Sequence, residues 1–157
     1  MIAKITIAIV ASTKEKIQTI IGSIACGNYR WLLVSKHENF GMIQAEMQFL
    51  YPGVEMEIIE CTKDGCWEAD MIILDIPGCE QREVAEMIQE VSTQKIVVRM
   101  CEESLADGED LQKLLKHSRV VNVIGDATSS KRTITGKDPE SVEFVSSLFK
   151  KTEQPIR

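Results

Sequence analysis

Hydrophobic positions along the chain follow two alternating rhythms. Ala3 to Val10 (AKITIAIV) alternates at period two and is rich in β-branched residues, which predicts a strand. The period then changes. Ile17, Ile20, Ile21 and Ile24 share one helical face, Ser12 and Glu15 stand before them at capping-box spacing, and Gly27 supplies the stop. Arg30 to Val34 (RWLLV) is a short apolar run suited to a strand buried on both faces. Phe40, Ile43, Met47 and Leu50 line a second predicted helix that stops at Pro52-Gly53, and Val54 to Ile59 alternates as a more exposed strand.

The same rhythm continues to the carboxyl end. Met71 to Ile76 (MIILDI) is a nearly unbroken apolar run closed by Pro77-Gly78; Val84, Met87, Ile88 and Val91 form the next helical stripe, and Lys95 to Met100 the next strand. Glu109 to His117 reads as a short helix leading into Arg119 to Ile124 as a sixth strand. Only the short stretch Gly125 to Ser130 precedes Lys131 to Thr135, and a parallel crossover needs about a dozen residues or more, so this seventh strand is expected to run antiparallel. Asp138-Pro139-Glu140 opens a last helix, with Val142, Val145, Leu148 and Phe149 facing inward. Strands that alternate with helices through right-handed crossovers make a doubly wound α/β domain with a mostly parallel, twisted sheet. Its expected extent is 1–151, followed by a polar tail over 152–157.

Composition narrows the function classes. Eighteen basic against twenty-four acidic residues give a formal charge of -6, which argues against nucleic acid or an anionic membrane as partner. No apolar run reaches the ~18 residues of a spanning helix, and the amino end lacks the form of a signal peptide, so a cytoplasmic location is expected. Five cysteines (Cys26, Cys61, Cys66, Cys79, Cys101) without a Cys-x-x-Cys pair, and two histidines, disfavour a disulfide scaffold and a zinc site.

In an open sheet of this class, ligands bind beyond the carboxyl ends of the strands where strand order reverses, here the turn after the first strand. A dinucleotide turn carries G-x-G-x-x-G at this place; the three glycine places hold Ala11, Thr13 and Lys16. The following helix start still presents unpaired N–H groups, and Ser12, Thr13, Lys14 and Lys16 add donors and charge, so a phosphate is the expected ligand if one binds. The alternative is that Ser12 is an ordinary N-cap and the lysines a solvated face. At the end of the second strand, Ser35-Lys36-His37 puts a hydroxyl beside a cation where a 2′-phosphate would be read.

Several segments together resemble the NADP-binding domain of deazaflavin (coenzyme F-420)-dependent NADP reductases and their relatives of the pyrroline-carboxylate reductase and 6-phosphogluconate dehydrogenase type. They are ITIAIV, GNYRWLLVSK, EADMIILDIPG, RVVNVI and TGKDPESVEFVSSLFKK. The resemblance implies a Rossmann-like strand order 3-2-1-4-5-6 with the antiparallel seventh strand at the edge. It also implies Ser35 and Lys36 as the 2′-phosphate pair and Ile76-Pro77 as the turn bordering the nicotinamide. Asp75 stands where the family has a small apolar residue, and the family normally continues into substrate or dimerisation elements beyond this length.

Asp75, Glu60 and Asp70 lie near strand ends as candidate acid–base groups, with a carboxylate bonded to turn or helix N–H groups as the plainer reading of Asp75. Cys79 follows Pro77-Gly78 at a helix start, where a thiolate would be favoured. Trp31 and Trp67 read as packing residues. No catalytic residue is identified. Two functions remain open: a divergent NADP-dependent oxidoreductase-like domain using Ser12, Thr13, Lys14, Ser35, Lys36, Ile76 and Pro77 for a dinucleotide, or a non-enzymatic module for interaction or assembly. A homo-dimer or a partner protein would supply what the domain lacks.

Overall fold

The computed structural model describes residues 4–24, 29–34, 41–101, 111–125 and 133–150. In chain order the elements are β1 (Ile5–Ala11), α1 (Lys14–Ile24), β2 (Tyr29–Val34), α2 (Gly41–Leu50), β3 (Glu55–Ile59), α3 (Thr62–Glu68) and β4 (Met71–Asp75). They continue with α4 (Gly78–Ile88), β5 (Ile96–Cys101), α5 (Leu111–Leu114), β6 (Arg119–Ile124), β7 (Thr133–Gly136) and α6 (Pro139–Lys150). The strands form one sheet in the order β3-β2-β1-β4-β5-β6-β7, parallel except for the antiparallel β6–β7 pair. This is the Rossmann-like order expected from the sequence, with the short connection before β7 enforcing its reversal.

Side chains alternate between two cores because successive residues of a strand face opposite ways. Ile7, Ile9, Trp31, Leu33, Ile73, Val98, Val121 and Val123 point to one face, where α1, α2 and α6 cover them with Ile17, Ile20, Ile21, Met47, Leu148 and Phe149. Ala8, Val10, Leu32, Ile72, Leu74, Val97 and Val120 point to the other, beneath Cys66 of α3, Val84, Ala85 and Ile88 of α4 and Leu111 of α5. Burying each large aliphatic side chain contributes roughly 1.5–3 kcal/mol relative to leaving it in water. Trp31 is buried and meets Tyr29 edge-to-face, with ring centroids 6.1 Å apart.

Three details depart from the sequence reading. Helix α3 is absent from the hydrophobic pattern, since TKDGCWE buries only Thr62, Gly65 and Cys66. Leu50 does not face inward with Ile43 and Met47 but is 60% exposed, and Trp67 is 69% exposed rather than packed. Both lie at the carboxyl ends of helices, just before the chain turns back into the next strand. The α6 start is as expected: Pro139 occupies the first helical position, and Asp138 Oδ2 accepts from the Ser141 N–H at 3.2 Å and from the Ser141 hydroxyl.

At the outer edge, Arg30 of β2 contacts Glu55, Glu57 and Glu68, and Lys4 donates to Glu55 at 2.8 Å. The Glu68 hydrogen bond is the main cause that raises the Arg30 guanidinium above its ordinary value, and Lys4 lowers the Glu55 carboxyl. At the opposite edge β7 lies close against β6: a Cβ on Gly136 would stand 2.8 Å from the Val120 carbonyl oxygen and 3.1 Å from Val142 Cγ2. Gly136→Ala is therefore expected to cost about 1–3 kcal/mol, as overpacking does when the obstacle is backbone. A urea titration checks this; an unchanged midpoint refutes it.

Helix α3 is fastened at its end by Lys95, whose Nζ donates to the Cys66 and Trp67 carbonyls at 2.8 and 2.7 Å. Burial lowers the Lys95 pKa and pushes the Cys66 thiol up to about 12 from its ordinary 9.0. The folded thiol thus keeps its proton where the unfolded one has lost it. Its stabilising contribution is complete below pH 9.0 and is lost as pH rises toward about 12, by at most about 1.4 kcal/mol per pH unit. The lowered Lys95 acts with opposite sign, so the comparison must isolate the thiol. The stability advantage of the wild type over Cys66→Ala, from urea unfolding, is expected to shrink above pH 9.0; a constant difference contradicts the assignment.

Candidate functional site

Strand order reverses between β1 and β4, from which the chain leaves to opposite faces of the sheet: α1 follows β1 on one side and α4 follows β4 on the other. The two strands run in register, Val10 beside Leu74 and Ala11 beside Asp75, so their carboxyl ends part at the same level. A cleft of about 70 Å³ opens there. Its apolar lining is Val10, Ala11, Val34, Ile76 and Val84; its polar groups are Ser12, Thr62, Glu80 and Glu83.

The start of α1 is built differently from the capping box expected at Ser12 and Glu15. The helix begins at Lys14, and Thr13 Oγ1 accepts the Lys16 N–H at 3.3 Å, which makes Thr13 the N-cap. Ser12 is displaced one place because its N–H donates to the Asp75 carbonyl at 3.3 Å, tying the end of β1 to the end of β4. Ser12 stays half-buried on the cleft wall. Lys16 turns back over the same bend, its Nζ 3.4 Å from Asp75 Oδ1, with the two side chains 31% and 15% exposed. Asp75 thus contacts Lys16, and the N-cap position of α4 is held by Pro77 without a side-chain cap.

The expected site residues divide accordingly. Ser12 and Ile76 line the cleft; Thr13 is beside it but turned to its own helix; Lys14 is exposed and Pro77 exposed at the start of α4. Ser35 and Lys36, with His37, lie outside the described residues, although Val34 immediately before them lines the cleft. Asp70 is at the far end of β4, where its Oδ2 accepts the Thr6 N–H at 2.9 Å, so about 16 Å of strand separates it from Asp75. Cys79 is exposed on α4. Cys101, at the end of β5, has its thiol pKa raised by burial.

Thr62, Glu80 and Glu83 are the cleft residues the sequence reading missed. Thr62 came with the unrecognised helix α3. The two glutamates were visible as a three-residue spacing just after Pro77-Gly78, the spacing that sets two side chains on one helical face. Glu80 and Glu83 line the cleft, and Asp75 ends β4 beside it. Among the described residues, no group of three or more His, Cys, Asp or Glu is placed to hold a metal, and no helix is long and apolar enough to cross a membrane.

Because Thr13 carries the cap, Thr13→Ala is expected to lose about 1 kcal/mol and Ser12→Ala a few tenths. Chemical unfolding of the two variants measures the difference; equal losses contradict the assignment.

No protein-family model matches the chain, and no curated protein matches it in sequence. Its fold is shared with solved structures. A protein assigned as an F420-dependent NADP reductase from an Arthrobacter species superimposes with a TM-score of 0.68 at 13% identity, covering 96% of this chain and 81% of that one. Plasmodium falciparum pyrroline carboxylate reductase with NADP bound gives 0.71 at 8% identity, over 94% of this chain and 55% of that one. Prephenate dehydrogenase from A. aeolicus, in complex with hydroxyphenyl propionate and NAD+, gives 0.65 at 13% identity, over 96% and 58%. The chain thus spans little more than half the length of the latter two.

Proposed function

We propose that this domain is a nucleotide-binding module of the NADP-dependent oxidoreductase type, which takes a dinucleotide at the β1–β4 switch point. The reversal of strand order at β1 and β4, with a cleft open at their carboxyl ends, carries this reading. In it, Ser12 and the amino end of α1 face the diphosphate, Ser35-Lys36 reads the 2′-phosphate, and Ile76-Pro77 borders the nicotinamide. The fold neighbours that bind NADP or NAD+ support it. Binding is expected to be weak, since Ala11, Thr13 and Lys16 occupy the glycine places and a branched Thr13 keeps phosphate oxygens from the main chain.

A second reading, a non-enzymatic interaction or assembly module, is favoured by one observation: Lys16, a cation of the first turn of α1, is already engaged by Asp75. A thermal melt with millimolar NADP(H) and, separately, NAD(H) decides between them. The first reading expects stabilisation by NADP(H) alone, about 2.7 kcal/mol at one hundred times Kd, and its disappearance in Lys36→Ala. The absence of any shift overturns it in favour of the second.

A further inference from the structure

We infer that the outer edge of β7 is a self-docking surface, through which two copies of this chain pair antiparallel about a two-fold axis at Thr135. The two edges of the sheet are built differently. β3 carries Glu55 and Glu57 beside Lys4, Arg30 and Glu68, whereas β7 (TITG) has no charged residue and no proline. Thr133, Ile134 and Thr135 are good strand formers, and Thr133, Thr135 and Gly136 are exposed. Among the described residues no strand pairs with the outer side of β7.

The ladder decides which backbone groups that edge offers. The Arg119 N–H donates to the Lys95 carbonyl and the Gly125 N–H to the Cys101 carbonyl, so alternate residues of β6 bond to β5 while Val120, Asn122 and Ile124 turn toward β7. Asn122 pairs with Thr135 and Ile124 with Thr133, which directs the N–H and C=O of Ile134 and Gly136 outward. Outward residues must meet outward residues. A two-fold axis at Thr135 sets Ile134 of each copy opposite Gly136 of the other, and every outward group of both strands finds a partner. Centring on Ile134 or on Gly136 pairs only that residue with its twin. With the axis at Thr135 no like charges face each other, since Thr133 stands opposite Lys137. Each Ile134 also comes to lie across from a glycine and beside the other copy's Val142, whose Cγ2 is 3.1 Å from where a Gly136 Cβ would stand. Both side chains are half-buried in the single chain, so the pairing covers apolar surface as well as backbone. It leaves β3 at both outer edges of the joined sheet, and assembly closes at two copies.

Sedimentation equilibrium of the full chain, from low to high micromolar concentration, is expected to follow a monomer–dimer equilibrium. Thr135→Lys and Thr135→Glu each set like charges in the closest cross-strand contact, and each is expected to weaken dimerisation about fivefold or more, while their equimolar mixture recovers it. A wild type that stays at 17.6 kDa throughout, a dimer that both variants retain, or a mixture no tighter than the separate variants overturns the inference. Amide hydrogen exchange tests the register on the wild type alone. Protection of Ile134 and Gly136 is expected to rise with protein concentration, while Thr133 and Thr135 are protected at every concentration; outward amides that exchange at one rate throughout overturn it.

Discussion

Two-sided burial of β1 and β4 is the constraint from which the rest of the architecture follows. A strand with neighbours on both sides and helices on both faces can expose side chains only at its ends. Ile7, Ala8, Ile9, Ile72, Ile73 and Leu74 accordingly show no accessible surface, and polar chemistry is displaced to the residues that follow them. At the carboxyl ends the first such residues are Ser12, Asp75 and the leading turn of α4. At the amino end Thr6 and Asp70 bond reciprocally through the Thr6 N–H and carbonyl. The two ends of the central pair are thus both tied by an aspartate, and the carboxyl end opens into a cleft.

That cleft differs in charge from what its position in the fold would suggest. The doubly wound arrangement brings a helix amino end to the switch point, and its dipole favours anions. Here side chains work against the backbone: Thr13 satisfies a helix N–H, Lys16 is neutralised by Asp75, and Glu80 and Glu83 reach the same space from α4. Fold likeness to NADP-binding reductases and the electrostatics of the cleft therefore point in different directions, which is why function has to be argued from the site.

The architecture was legible in the sequence wherever apolar spacing was strong. The run Met71 to Ile76 and the stripe Ile17, Ile20, Ile21 and Ile24 are almost wholly buried, and Arg119 to Ile124 buries Val120, Val121 and Val123. Reversal of β7 followed from the length of its connection alone. Helix α3 was hidden because it is one short amphipathic turn pair carrying a glycine, and its burial is supplied mostly by a cysteine and a threonine. The N-cap was misplaced by one residue because Ser12 and Thr13 are chemically alike; a tertiary bond from Ser12 to Asp75 chose between them. The Lys16–Asp75 contact joins residues on two elements distant in the chain, and no local pattern encodes that pairing.

The charged rim of β3 bears on how copies of the domain could associate. A strand of five residues carrying Glu55 and Glu57, bracketed by Lys4, Arg30 and Glu68, offers a short ladder whose extension by an identical strand would set glutamates against glutamates. Each exposed ion pair adds little to stability, but the cluster works as a barrier to continuous intermolecular sheets. Edge-to-edge growth of the sheet through β3 is thereby opposed, and the other edge of the sheet is β7.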